Sequence, residues 1–199
     1  MRIGIYGGSF SPPHNGHIEA VKSFQKAMML DKVLVMPTYI APHKQTALTI
    51  SSHHRYEMAR LAFDSLDFVT VSDYEIAAKT VSYTANTLLH FAPEGELFFL
   101  CGSDMFLTLA SWYRPDIIFE NATIVLASRD SALDADCLLK KAEYEKAFGA
   151  KIQILQNKIR KLSSTDVRSA LAKGVDVSDF LPKAVEEYIK RYRLYEPHP

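Results

Sequence analysis

Residues 2–17 read RIGIYGGSFSPPHNGH, and this stretch decides the fold that we predict for the chain. It opens with a β-branched and aromatic run, Ile3–Tyr6, which is typical of a buried strand. Two glycines follow at Gly7 and Gly8, and a helical pattern begins at Gly16. A strand that passes through a glycine-rich turn into a helix is the first unit of an α/β sheet.

Short β-branched runs alternate with amphipathic stretches along the rest of the chain. We predict strands over Ile3–Tyr6, Lys32–Met36, Phe68–Ser72, Glu96–Cys101, Thr123–Ala127 and Lys151–Leu155. We predict helices over Gly16–Met29, Ser51–Leu66, Tyr83–Phe91, Ser103–Ala110, Ala132–Phe148, Ser164–Ala172 and Pro182–Arg191. Gly149 and Gly174 suit helix C-caps, and Pro182 suits a first helical position. This order predicts an α/β fold with a Rossmann-like, doubly wound parallel sheet, which binds ligands beyond the C-terminal ends of its strands.

Composition favours a single domain over residues 1–199, with a C-terminal helical segment at about residues 163–192. The 23 Lys and Arg residues balance 23 Asp and Glu residues, which argues against a basic surface for nucleic acid. No apolar run approaches the roughly 20 residues that cross a membrane. Cys101 and Cys137 are too few for a disulfide scaffold. We therefore expect a cytoplasmic protein with no nucleic-acid and no membrane partner.

The glycine turn and the start of the first helix carry groups that suit a phosphate. Paired glycines let backbone amides approach a ligand without interference from a Cβ atom. His14 and His17 lie three positions apart at the start of the helix, so both can face one ligand. A helix N-terminus also favours anions. The stretch lacks the Lys-Ser/Thr of a Walker A loop and the G-x-G-x-x-G of dinucleotide-binding dehydrogenases. The sequence therefore argues against a Walker A nucleotide-binding protein and against a hydride-transfer dehydrogenase.

The same stretch resembles the G-G-x-F-x-P-x-H-x-G-H signature of the nucleotidylyltransferase superfamily. The resemblance implies that His14 and His17 are catalytic residues, which bind ATP phosphates and stabilise the transition state of adenylyl transfer. It also implies a role in ATP binding for the residues of the glycine turn, which are Gly7, Gly8, Ser9 and Phe10.

A second anion site is indicated at Leu162–Arg168, where hydroxyl residues precede an apolar-periodic run. Arg168 stands one turn into that helix and can direct a bidentate donor at a phosphate. The segment resembles the superfamily's second signature, I-S-S-T-x-x-R, with Leu162 in place of Ile. The resemblance implies that Ser164 and Thr165 bind ATP. It also implies that Arg168 and Lys44, from the irregular segment Pro37–Ile50, act as catalytic cations on the departing pyrophosphate.

A narrower resemblance, to bacterial nicotinate-mononucleotide adenylyltransferases, begins after the third strand. It is carried by the sequence groups Asp73-Tyr74-Glu75, Ser82-Tyr83-Thr84, Thr87-Leu88, Cys101-Gly102-Ser103-Asp104 and Trp112. It implies a pyridine-nucleotide pocket formed by Ser82, Tyr83, Thr84 and Trp112, and ATP contacts from Gly102 and Asp104. An aromatic platform suits a cationic pyridine ring. Lys79, Thr80 and Asn86 depart from that family's usual Arg, Gly and Asp.

The resemblance implies transfer of AMP from ATP to nicotinate mononucleotide, giving deamido-NAD and pyrophosphate. ATP and nicotinate mononucleotide are then the expected partners, with Mg²⁺ carried by ATP and no dedicated metal site in the protein. His53 and His54 do not make one, because neighbours on a helix point apart. Two alternatives stay open: the same chemistry on nicotinamide mononucleotide or another phosphorylated acceptor such as phosphopantetheine, and a nucleotide-binding module without turnover. The sequence does not determine the oligomeric state.

Overall fold

A parallel sheet runs through the computed structural model, which describes residues 1–42, 50–127, 135–155 and 162–196. Its strands are β1 (Arg2–Gly8), β2 (Lys32–Pro37), β3 (Val69–Val71), β4 (Glu96–Gly102), β5 (Ala122–Ala127) and β6 (Ile152–Leu155). Their order in the sheet is β3-β2-β1-β4-β5-β6, and every neighbouring pair is parallel. The direction of winding reverses between β1 and β4, so the predicted doubly wound sheet is confirmed.

Helices cover both faces of this sheet. They are α1 (Asn15–Met28), α2 (Ser52–Phe63), α3 (Tyr74–Ala78), α4 (Thr84–Phe91), α5 (Ser103–Thr108), α6 (Pro115–Asn121), α7 (Ala135–Phe148), α8 (Ser164–Ala172) and α9 (Lys183–Tyr192). Successive residues of β2 point to opposite faces, as strand geometry requires. Val33 and Val35 pack with the residues of α1, α2, α8 and α9. Leu34 and Met36 pack with those of α4, α5, α6 and α7.

The helices differ from the prediction in several places. The short helices α3 and α6 were not predicted, because five and seven residues are too few to display a helical period. The predicted helix over Ser103–Ala110 ends at Thr108 and continues as a 3-10 turn. Pro182 is the N-cap of α9 and not its first helical residue. Gly149 and Gly174 do follow α7 and α8, with φ values of 64° and 67°, so both predicted caps are confirmed.

A crevice opens at the C-terminal ends of β1 and β4. The ladder between these strands ends at the pair Ile5–Phe99. On their other sides, β1 stays paired with β2 through Gly8, and β4 stays paired with β5 through Gly102. The two central strands therefore separate where the winding reverses, which is the place where open α/β sheets bind ligands.

Two further findings concern the whole described chain. Among the described residues, no helix is both long and apolar enough to cross a membrane. Cys101 and Cys137 are buried and do not form a disulfide with each other. Burial raises the pKa of the Cys101 thiol, with the nearby Cys137 adding to the effect.

Candidate active site

Two glycines line the crevice without any packing reason to be glycine. A Cβ atom added to Gly7 on β1, or to Gly102 on β4, would meet no described atom within 4 Å apart from its immediate chain neighbours. Neither residue has the positive φ that favours glycine. Open space above two adjacent strand ends, bordered by bare backbone, lets a ligand approach the main chain closely.

Gly8 is glycine for a different reason, because the ring of Phe10 lies against it. A Cβ atom on Gly8 would lie 3.2 Å from Cζ of Phe10. Phe10 is buried and has φ 46°, a left-handed conformation that is uncommon for an aromatic residue. Its ring makes edge contacts with Tyr6 at 5.4 Å and with His17 at 5.2 Å between centroids. Phe10 thus forms an aromatic floor beneath the turn, beside the second histidine.

His14 and His17 occupy two defined positions at the start of α1. His14 is the N-cap, and His17 is the third helical residue. The backbone N–H of His14 donates to Nδ1 of His17 at 3.1 Å. The His17 imidazole thus accepts the N-cap amide, as a glutamate usually does in a capping box. The two rings stack with centroids 3.6 Å apart, so the predicted pair is brought together.

This cap fixes the chemistry of His17 as well as its position. Because an amide N–H can only donate, Nδ1 must accept, and the neutral ring carries its hydrogen on Nε2. His17 therefore presents an N–H donor at Nε2. The first turn of α1 contains no acidic residue, so the positive end of the helix dipole is not cancelled by a carboxylate. Donor and dipole together make this helix end suitable for a phosphate.

Helix α8 contacts the turn between β1 and α1. The Ser164 hydroxyl donates to the carbonyl of Pro12 at 2.9 Å. Arg168 donates through Nη1 to the carbonyl of Ser11 at 2.7 Å and through Nη2 to the hydroxyl of Thr165 at 3.1 Å. Ser164 and Arg168 therefore lie beside the histidine turn and support its backbone, while Thr165 holds Arg168. Their contact with phosphate stays a prediction.

The N-terminus of α8 is capped by its own side chains. Ser163 accepts from the Asp166 amide at 3.1 Å, and the Asp166 carboxylate accepts from the Ser163 amide at 3.2 Å. A carboxylate in this first turn already offsets the helix dipole. The anion site expected from this helix end therefore depends on the hydroxyls and on Arg168 more than on the free amides.

Arg55 on α2 is a site residue that sequence reasoning missed. Its side chain is buried, with 1% exposed. Nη1 donates to the carbonyl of Ser9 at 2.8 Å, and Nη2 donates to the carbonyls of Thr38 and Tyr39 at 2.5 and 3.1 Å. Burial lowers the pKa of Arg55, while Tyr195 opposes that effect. One guanidinium thereby joins the turn after β1 to the segment after β2.

A signal for Arg55 was present in the sequence. Arg55 stands at the apolar spacing of α2, ahead of its buried positions Met58, Ala59, Ala62 and Phe63. An arginine inside such a stripe has to find several acceptors in the interior. Lys44, the other cation expected near this place, lies outside the described residues, which stop at residue 42 and resume at residue 50.

The predicted pyridine residues gather around the start of α4. Tyr83 is its N-cap and Thr84 its first residue, and the first turn holds no acidic side chain. The ring of Tyr83 lies 4.5 Å from that of Tyr113, which brings the neighbouring Trp112 to the same region. Trp112 is partly exposed, and its Nε1–H donates to the Thr108 hydroxyl at 3.3 Å.

Ser82 connects this turn to the segment after β2. Its amide donates to the carbonyl of Ile40 at 2.9 Å, and its hydroxyl accepts from the Tyr39 amide at 2.9 Å. Beneath it, the buried Glu75 carboxylate accepts from the Thr87 hydroxyl at 2.7 Å. Burial raises the pKa of Glu75, and the hydroxyls of Thr87 and Ser82 oppose that rise. Ser82 therefore hydrogen bonds to the segment after β2 and also lowers the pKa of Glu75.

The described residues hold no cluster of three or more His, Cys, Asp or Glu side chains that could bind a metal ion. Asp104 lies exposed in the first turn of α5, next to Gly102 at the crevice. His54 uses Nδ1 in a hydrogen bond with the hydroxyl of Tyr188, 3.0 Å away.

Comparison with known proteins agrees with this architecture. The model of the cytidylyltransferase-like family matches residues 5–170. A probable nicotinate-nucleotide adenylyltransferase of Clostridium tetani is 33% identical over 194 residues, which cover 96% of this chain and 97% of that protein. A probable nicotinate-nucleotide adenylyltransferase of Shewanella frigidimarina is 34% identical over 211 residues, covering 98% of this chain and all of its relative.

A solved structure shares the fold. The nicotinic acid mononucleotide adenylyltransferase of Plasmodium falciparum, complexed with NaAD, superposes with a TM-score of 0.77 at 21% identity. The match covers 98% of this chain and 97% of that one. Strand order, the histidine turn and the full-length identity to the curated relatives agree: the chain belongs to the cytidylyltransferase-like family and, within it, to the nicotinate-nucleotide adenylyltransferases.

Proposed function

We propose that the protein transfers AMP from ATP to nicotinate mononucleotide, forming deamido-NAD and pyrophosphate. One observation carries the assignment of the site: the crevice between β1 and β4 is bordered by Gly7, Gly102 and the acid-free N-terminus of α1 with its paired histidines. Bare backbone, a helix dipole and imidazole donors at one place suit the crowded negative charge of a triphosphate.

The reaction is an in-line displacement at the α-phosphorus of ATP. An oxygen of the acceptor's phosphate forms a bond to that phosphorus while the bond to the bridging oxygen of the β-phosphate breaks, and pyrophosphate leaves with that electron pair. The acceptor phosphate is ionised at neutral pH, so no general base is needed. Catalysis then comes from alignment of the two phosphates and from stabilisation of the charge between them.

His17 and His14 act at the α-phosphate. The Nε2–H of His17 donates to a non-bridging oxygen of that phosphate, and its hydrogen bond to the His14 amide keeps the ring in the required tautomer. His14 stacks on His17 at 3.6 Å and so limits the rotation of its ring. Gly7, Gly8, Ser9 and Phe10 shape the floor, and Gly102 with Asp104 contacts the nucleotide.

Arg168 and Lys44 act on the departing pyrophosphate, together with the hydroxyl of Thr165. The Ser164 hydroxyl joins them by exchanging the Pro12 carbonyl for a phosphate oxygen when ATP binds. Support for this role of Arg168 is its hydrogen bond to Ser11, because that bond holds the guanidinium against the histidine turn. The guanidinium has further N–H donors for phosphate oxygens. Mg²⁺ enters with ATP as part of the substrate and neutralises charge on its phosphates.

The start of α4 receives the pyridine ring. The amides of Tyr83 and Thr84 begin a helix without an acidic first turn, which favours the negative carboxylate of nicotinate over the neutral amide of nicotinamide. Trp112 and Ser82 complete this pocket. The ring of Trp112 offers the flat face that a cationic pyridine prefers.

The test is pyrophosphate release from ATP with each acceptor in turn. We expect release with nicotinate mononucleotide, much slower release with nicotinamide mononucleotide and none with phosphopantetheine. Equal rates with both pyridine nucleotides would contradict the role of the α4 N-terminus. No release with any acceptor, from a folded protein that still binds ATP, would instead indicate a nucleotide-binding module.

A further inference from the structure

Tyr195 connects the end of the described chain to the histidine turn. Its hydroxyl lies 3.0 Å from the hydroxyl of Ser11, across 184 positions of sequence. The C-cap of α9, Arg193, adopts φ 50°, which turns the chain back so that Leu194 is buried in the core. Tyr195 itself has φ 65°, an uncommon conformation that persists only where the surrounding structure imposes it.

Ser11 is held at both of its polar ends by the C-terminal part of the chain. Its hydroxyl meets Tyr195, and its carbonyl accepts from Nη1 of Arg168 at 2.7 Å. The residue is buried, with 2% exposed. A serine fixed through its side chain presents its carbonyl in one direction, so the contact with Tyr195 also sets the place where Arg168 binds.

Two cations act electrostatically on the Tyr195 hydroxyl. Arg168 and Arg55 both act on it electrostatically and favour its ionised form, but burial outweighs them and raises the pKa of the phenol. The group is therefore a neutral hydroxyl that two guanidinium groups influence, and each of these donates to a carbonyl of the same turn. A neutral group at this point can hydrogen bond without neutralising either cation, so the charge of Arg168 stays available to a nearby phosphate.

We propose that Tyr195 is a positioning residue for ATP: through Ser11 it holds Arg168 in the orientation that binds the outer phosphates. The inference rests on the proposed function and adds the C-terminal segment to the nucleotide site. It also separates two effects. Loss of the Tyr195 hydroxyl should weaken ATP binding while leaving the acceptor site at the start of α4 unchanged.

The test compares Tyr195→Phe with wild type. This change removes one oxygen, keeps the ring in the core and leaves the buried Ser11 hydroxyl without its partner. Loss of such a bond corresponds to about a ten-fold effect. We expect KM for ATP, and Kd for a non-hydrolysable ATP analogue, to rise about ten-fold. KM for nicotinate mononucleotide should stay within about two-fold of the wild-type value.

A matched control is Tyr188→Phe, which removes the Tyr188–His54 hydrogen bond, also 3.0 Å long, between α9 and α2. We expect both substitutions to lower Tm to a similar extent and only Tyr195→Phe to weaken binding of ATP. A purely structural role predicts equal and small kinetic effects in the two variants, and that outcome overturns the inference.

A double-mutant cycle tests the route through Ser11. If Tyr195 acts through the Ser11 hydroxyl, Tyr195→Phe should change Kd for the ATP analogue far less in a Ser11→Ala background than in wild type. If the effects of Tyr195→Phe and Ser11→Ala on Kd are fully additive, Tyr195 does not act through Ser11. Should the wild-type chain transfer no adenylyl group, the proposed function fails, and Kd for the analogue still decides this inference. Equal Kd values for wild type and Tyr195→Phe, or no binding by either, overturn it.

Discussion

At the scale of single residues, His17 has two roles that can be separated. It accepts the His14 amide through Nδ1, which stabilises the start of α1, and it offers Nε2–H to a phosphate. The spacing of the two histidines was readable from the sequence as a shared face of a helix. The capping role was not readable, because it depends on where the helix begins.

Substitution His17→Gln should separate these roles. A glutamine oxygen at this position can still accept the His14 amide, as in an ordinary capping box, so Tm should stay near that of wild type. The imidazole donor to the α-phosphate is lost, and we expect kcat to fall by about 100-fold or more. Steady-state kinetics and thermal unfolding on the same preparation check both results.

His17→Glu should separate stability from turnover further. A glutamate caps well and adds a favourable charge at the helix N-terminus, so Tm should equal or exceed that of wild type. The same charge repels the triphosphate, so turnover should fall below that of His17→Gln. Near-normal turnover in either variant would show that the imidazole takes no part in adenylyl transfer.

The glycines of the crevice give a second prediction at this scale. Gly7→Ala and Gly102→Ala meet no described atom within 4 Å beyond their chain neighbours, so the free protein should be as stable as wild type. The added methyl group occupies space meant for the nucleotide, and we expect Kd for ATP to rise about ten-fold or more. Isothermal titration and thermal unfolding measure the two quantities.

Gly149→Ala is the control, since it should lower stability and leave ATP binding unchanged. Gly149 has φ 64° at the end of α7, so alanine is strained there and should cost about 1 kcal/mol of stability. ATP binding should not change. If Gly7→Ala binds ATP as wild type does, the open space above β1 is not the nucleotide site.

At the scale of elements, strands were predicted more reliably than short helices. Continuous apolar runs such as Lys32–Met36 mark strands covered on both faces, and β2 begins and ends within one residue of that prediction. Helix α3 has five residues, and α6 depends on Pro115 at its first position. Such elements are stabilised by packing and caps, which no local periodicity displays.

Replacement of Arg55 on helix α2 should lower the stability of the protein. Arg55→Met leaves the carbonyls of Ser9, Thr38 and Tyr39 without their donor, while it also removes the cost of burying a charge. The net loss should be about 2–3 kcal/mol, which corresponds to a Tm lower by about 4–12 °C. Calorimetry checks the value.

Arg60→Met on the same helix is the control for that change. Arg60 is mostly exposed and pairs with Glu57 at 3.4 Å, a contact that contributes little to stability. The Tm of Arg60→Met should stay within about 2 °C of the wild-type value. If Arg55→Met and Arg60→Met lower Tm by the same amount, the three carbonyl contacts of Arg55 do not explain its burial.

Helix α3 gives a prediction about pH through Glu75. Burial raises the pKa of this carboxyl in the folded state, so its ionisation costs stability as pH rises above the unfolded value, near pH 4. Glu75→Gln keeps an acceptor for the Thr87 hydroxyl and has no charge to bury. The variant should match wild type at about pH 4 and unfold at higher denaturant at pH 7.

Urea unfolding of both proteins across this pH range measures the difference. The gain from Glu75→Gln should appear as pH rises and should be absent at acid pH, where wild-type Glu75 is protonated in both states. A gain that is constant with pH would mean that it comes from packing and not from the charge.

At the scale of the whole molecule, the site is made by contacts between distant parts of the chain. The sequence contained the histidine turn, the segment of α8 and the groups around α4. It did not reveal Arg55 or Tyr195 as supports of the turn, because their partners lie 46 and 184 positions away. Such contacts arise only when strand order and helix packing are fixed.

The C-terminal helices belong to the same structure as the sheet. Val167, Val185 and Ile189 are buried in the cluster that also contains Val33 and Val35 of β2. We propose from this shared core that residues 1–199 fold as one domain. A single cooperative transition, seen with the same midpoint by circular dichroism and by the fluorescence of Trp112, is the expected result.

We propose that this crevice transfers an adenylyl group and not a phosphoryl group. The most direct measurement follows radiolabel from ATP in the presence of nicotinate mononucleotide and Mg²⁺. With the label at the α-phosphate, we expect a labelled dinucleotide and unlabelled pyrophosphate. With the label at the γ-phosphate, we expect all released label to be pyrophosphate. Label from the γ-position in the acceptor or in inorganic phosphate, or no labelled dinucleotide from the α-position, would contradict adenylyl transfer.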